Sequence, residues 1–152
     1  MALELLLTSE AAEKIGSEEL IILSQVFARH FRLPDSVVEI ELVTLPEIQA
    51  LNKEYRNLDE PTDVLSFPTF ANLEEVKIYP GTHPVLGSII IAPEKAALYN
   101  ETLLQLVHHG LLHILGYDHE TDLNEWHKAE QAVLSELAHS NLSVAGIVDA
   151  TL

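Results

Sequence analysis

Between residues 109 and 119 the chain reads His109-Gly110-Leu111-Leu112-His113-Ile114-Leu115-Gly116-Tyr117-Asp118-His119. This segment constrains the fold more than any other. Leu103–Leu115 carries apolar residues at helical spacing, and on a helix residues four apart share a face. His109 and His113 therefore project together. His119 could not join them on a continuing helix, because six further residues would carry it round to the opposite side. Gly116 resolves the conflict, since glycine takes the left-handed conformation that ends a helix and folds the chain back. Five of the eight histidines fall between 108 and 127.

Three imidazoles that converge while leaving a fourth position open describe a catalytic zinc site rather than a closed structural one. The chain has no cysteine, so a metal must be held by His, Asp or Glu. The spacing matches the H-x-x-x-H-x-x-G-x-x-H part of the metzincin protease pattern, but Gly110 stands where those proteases carry the glutamate that serves as general base. Asp118 is a candidate for orienting an imidazole and equally an ordinary turn residue. His108 points some 100° from His109 and suits packing or solvent, and His127 reads as a surface residue.

The remaining elements place this segment late in a chain of mixed character. Leu3–Leu7 reads as a short strand. A helix with Ser17 as N-cap and Glu18 and Glu19 in its first turn runs from Leu20 to about Phe31 and stops before Pro34. Val38, Ile40 and Leu42 alternate with Glu39 and Glu41 as a half-buried strand. A helix with Pro46 in its first turn covers Glu47 to Tyr55. Strands follow at Asp63–Phe67 and Leu86–Ile91, with a turn-rich loop between them. Pro93 opens helical pattern that breaks near Tyr99-Asn100, and a last helix runs from Thr121 or Asp122 to about Ala138. Strands early and helices late predict an α+β fold: one domain over residues 1–152, a small mixed sheet packed with helices, and the metal-binding helix ending at Gly116.

The whole chain has 152 residues, with 8 Lys and Arg against 24 Asp and Glu, a net charge of −16. Nearly half its residues are apolar, which excludes disorder as the main description. The charge excludes nucleic-acid binding through a broad basic surface. The stretch Thr102–Tyr117 has no acidic or basic residue but is only sixteen residues long, short of a membrane span. The N-terminal MALELLL lacks a signal peptide's positive region. A cytoplasmic protein is expected.

Beyond spacing, HGLLHILGYDH (His109–His119) resembles the signature of the YbeY family, rRNA maturation factors and single-strand-specific endoribonucleases. LNKEYRNLDEPTDVLSFP (Leu51–Pro68) is similar to that family's second hallmark, and LGSIII (Leu86–Ile91) to its L-G-D-I-x-I strand. The resemblance implies one Zn²⁺ per chain on His109, His113 and His119, with Arg56 as the essential arginine beside it. It implies single-stranded RNA or rRNA as substrate, cleavage in maturation of the small-subunit rRNA 3′ end and ribosome quality control, and a ribosome or ribosomal protein as partner, with neither DNA nor a membrane involved. The chemistry agrees: a metal and a guanidinium fork both stabilise charge on a phosphodiester in cleavage. The nucleophile is either water activated by the metal or the RNA 2′-hydroxyl. Thr62, Asp63 and Ser66 are candidates for lining the cleft.

Two features depart from the family pattern. Ser88 stands where the family has Asp, and the segment between Ile91 and His109 is shorter than in relatives. Alternative readings are a metal-dependent hydrolase of peptides or small molecules, against which Gly110 argues, and a non-catalytic ribosome assembly factor with structural zinc.

Overall fold

The computed structural model describes residues 2–140; residue 1 and residues 141–152, which the expected 1–152 domain includes, lie outside the described residues. Four strands form one sheet: β1 (Leu3–Leu7), β2 (Ser36–Leu42), β3 (Val64–Pro68) and β4 (Val85–Ile91). Their order is β1-β2-β4-β3, with β1, β2 and β4 parallel and β3 an antiparallel edge. The sheet is thus mixed, as expected of an α+β domain.

Among the described residues seven helices pack around it: α1 (Ser9–Ile15), α2 (Ser17–His30), α3 (Leu45–Arg56), α4 (Leu73–Ile78), α5 (Pro93–Leu98), α6 (Leu103–Ile114) and α7 (Leu123–His139). Helices interleave with the strands up to β4, and five of them, α2, α3, α5, α6 and α7, stand where the sequence places helices. Two were not anticipated. Helix α1 is capped by Thr8, whose hydroxyl accepts from Ala11 N, and α4 by Asn72, whose side chain accepts from Glu75 N. A correction also applies to Ser17. It is the first helical residue of α2, and the capping position belongs to Gly16, at φ 107° between α1 and α2.

Alternation along the strands builds two unequal cores. Val38, Ile40, Ile89 and Ile91 face α2, α6 and α7 in the main cluster, where Phe27, Leu23, Leu111, Leu112 and Leu137 are fully buried. Leu65 and Ile90 face the other way and pack with Ile48 of α3. Glu39, Glu41 and Leu6 are exposed beyond the cover of α3. Ser88 pairs with Glu39 and with Phe67 and lies outside the cleft described below.

Candidate metal centre

Helix α6 is built to hold two histidines rigidly. Thr102 accepts from Gln105 N while Gln105 accepts from Thr102 N, a reciprocal capping box at the N-terminus. The apolar face of Leu104, Val107, Leu111 and Ile114 is buried against the sheet and α2. Gly110 packs directly on β4: a Cβ there would lie 2.8 Å from Ile89 Cγ2. The position next to His109, where a protease would place its glutamate, is therefore closed by a helix–sheet contact.

At the C-terminus the chain turns as the glycine predicts. Gly116 has φ 98°, its N–H donates to the His113 carbonyl, and the N–H of Tyr117 donates to the Leu112 carbonyl. A Cβ at Gly116 would also stand 2.9 Å from the Ala71 carbonyl oxygen. The turn carries His119 back to the helix. One nitrogen from each of His109, His113 and His119 lies within 4.8 Å of the others, and Nε2 of His109 is 3.1 Å from Nε2 of His113. Tetrahedral zinc–nitrogen bonds place neighbouring ligand nitrogens about 3.3 Å apart. The donor set and its spacing therefore fit a tetrahedral metal ion.

The electrostatics favour neutral, ligating imidazoles. Burial, then the His113 and His119 rings, holds His109 down to about 4, with Asp63 opposing. Burial and His119 lower His113, while Asp118, the backbone of Tyr117 and Glu120 oppose. Trp126 of α7, itself buried, packs against all three rings at centroid distances of 4.9, 4.8 and 5.1 Å. Sequence reasoning did not single out this residue. It walls one side of the cluster with an apolar surface.

The histidines open into a cleft of ≈ 1270 Å³ that straddles edge strand β3. Thr62, Asp63 and Ser66 line it, as does Arg56, the last residue of α3. The helix ends there because Asn57 adopts the left-handed conformation at φ 59°. Arg56 is exposed, and among the described residues no carboxylate lies within ion-pair distance of it. The opposite wall comprises Tyr99, Asn100, Glu101 and Thr102, from the segment expected to differ from relatives.

Two neighbouring histidines stand outside the cluster, although His108 also lines the cleft. His108 is buried edge-on against Phe27, its Nε2 without a hydrogen-bond partner. His127 is at the surface, 3.7 Å from Glu130. Asp118 accepts from Glu120 N at 2.9 Å as a turn residue while its charge acts on His113. No helix among the described residues is long and apolar enough to cross a membrane.

A family model described as endoribonuclease YbeY matches residues 9–138. An endoribonuclease YbeY from Aliarcobacter butzleri is 45% identical over 107 residues, covering 65% of this chain and 71% of that protein. One from Paramagnetospirillum magneticum is 38% identical over 127 residues, covering 77% and 73%. A solution structure of TM1509 from Thermotoga maritima is similar with a TM-score of 0.49 at 29% identity, covering 91% and 93% of the two chains.

Proposed function

The chain belongs to the endoribonuclease YbeY family, and we propose from that premise that it is a zinc-dependent endoribonuclease hydrolysing phosphodiester bonds of single-stranded RNA. Its place is the cytoplasm, in maturation of rRNA at the small-subunit 3′ end and in ribosome quality control. The observation that supports this reading best is the sharing of one cleft by three convergent imidazoles and an arginine that no carboxylate among the described residues pairs.

His109, His113 and His119 would hold one Zn²⁺. When bound, such an ion supplies Lewis-acid stabilisation of phosphoryl oxygens and acidifies a water. Arg56 offers its planar fork to two non-bridging phosphate oxygens, where charge grows as the attacking oxygen approaches phosphorus. It pays no cost to leave a carboxylate, because among the described residues none lies within ion-pair distance of it. Trp126 shields one flank of the imidazoles from water. Gly110 offers no carboxylate base, which disfavours the peptidase alternative.

Cleavage of a partly single-stranded rRNA fragment by wild type, H113A and R56A, prepared identically, tests this. Wild type should cut, and each folded variant should lose at least about a hundredfold in rate, the scale of removing one group that stabilises transition-state charge. In parallel, zinc titration should change the emission of Trp126, the single tryptophan, in wild type and R56A but not in H113A. Equal cleavage by all three proteins would refute the site assignment.

A further inference from the structure

We propose that Tyr55, propped by Phe67, is a stacking platform for one unpaired nucleobase of the RNA, next to the phosphate held by Arg56. This rests on the ribonuclease reading above and adds what supplies affinity at the site.

The cleft is poor in positive charge. Among the described residues Arg56 is its single Lys or Arg, against Asp63, Asp118, Glu120 and Glu130. Phosphate contacts alone therefore give little binding, and another source is needed. Stacking of bases on aromatic rings is such a source, and it tolerates any base sequence because every base has a π-face.

Tyr55 meets the requirements for a platform. The residue is 61% exposed at the cleft end of α3, one residue before Arg56. Its ring meets that of Phe67 edge to face, with centroids 5.1 Å apart and planes at 67°. Phe67 sits on β3 and packs against the Ile48, Leu65 and Ile90 cluster, so the prop is anchored in the sheet. A ring held in this way loses little freedom when a base covers it. Tyr99 also lines the cleft and is exposed, but the Lys95 ammonium stands over its ring at 5.2 Å. Tyr79 packs on Phe70, outside the cleft. Tyr117 lines the cleft as well, but it is half-buried and its ring packs against Phe31; Tyr55 is thus the more exposed cleft aromatic with a face to offer among the described residues.

A paired base in a helix already has neighbours on both faces and cannot present one to Tyr55. An unpaired base can. The platform therefore favours single-stranded substrate by geometry rather than by hydrogen-bond readout.

The test is binding of a short single-stranded oligoribonucleotide to the full chain, with a series in which one nucleotide at a time is abasic. Y55A should weaken binding about tenfold to a hundredfold, the range of losing one base–aromatic stack. Y55F should bind as wild type, since stacking needs the ring and not the hydroxyl. One abasic position should weaken binding to wild type but leave Y55A unaffected, a coupling that a merely structural Tyr55 would not show. R56A should bind less well yet keep that base dependence. Unaltered binding by Y55A, or independent losses from Y55A and every abasic position, would overturn the platform while leaving the ribonuclease reading intact. Failure of wild type itself to bind or cut the RNA would overturn both.

Discussion

Glu101 is a carboxyl that keeps its proton at neutral pH. Asp63 Oδ1 accepts from Val64 N at 2.8 Å and from Thr62 Oγ1 at 3.2 Å. Glu101 lies in hydrogen-bonding contact with Asp63, and its Oε1 is shut off from solvent without a donor. Two carboxyls so placed do not both ionise. Burial first, and Asp63 second, push Glu101 up to about 8 from an ordinary 4.5. Because the folded value exceeds the unfolded one, the native state keeps a proton that the unfolded chain releases. The contribution of Glu101 to stability is then greatest below about pH 4.5 and falls as pH rises toward 8. In the metal-free protein, E101Q should remove this fall. Solvent screens a half-buried carboxyl, so the gain at about pH 9 should be on the order of 1 kcal/mol, or ~2–4 °C in Tm, vanishing near pH 4. A gap of the same size at both pH values would refute the shared proton.

At the scale of elements, the seating of α6 on β4 fixes where the histidines stand. Ile89 is fully buried, and all three of its outer carbons lie within 3.0 Å of where a Gly110 Cβ would be. G110A gains helix propensity of about 1 kcal/mol, but overpacking costs about 1–3 kcal/mol, so a net loss of up to ~2 kcal/mol is expected. I89A opens a cavity and costs about 2–5 kcal/mol by itself. The double variant should be more stable than the sum of the two losses predicts, because each relieves the other. Strict additivity in denaturant melts would show that the contact does not set the helix position.

What could be read from sequence at this scale follows from locality. The spacing of four and then six residues, with Gly116 between, is written in one short segment, so the convergence of three imidazoles was legible. Helix α4 was not: its six residues bury only Val76, which leaves no periodicity to detect. Helix α1 likewise buries only Ala11. Trp126 against the histidines, Glu101 against Asp63 and Tyr55 against Phe67 are contacts between separate elements, and no spacing rule reaches them. Ser17 misled because a good capping residue directly follows a glycine that can itself occupy the capping position.

For the whole molecule, the governing quantity is a net charge of −16 on a protein whose proposed substrate is a polyanion. Long-range repulsion slows encounter with free RNA, and cations relieve it by screening. Local contact with Arg56 pulls the other way, since displacing counterions from one phosphate weakens binding as salt rises, with a slope of roughly −0.7 in log K against log salt. Wild type should therefore bind a free single-stranded oligonucleotide weakly, with Kd on the order of micromolar or above, and with a net slope no steeper than about −1. R56A should shift that slope upward by roughly 0.7, and lowering the salt should not rescue its binding. On the proposed reading, presentation of the substrate on a ribosomal particle would supply the affinity that the charge withholds from naked RNA. The same cleavage comparison on such particles should then show a larger gain over naked RNA for wild type than any change of salt produces. Tight binding to naked RNA with a slope of several units would contradict both the charge argument and the need for presentation.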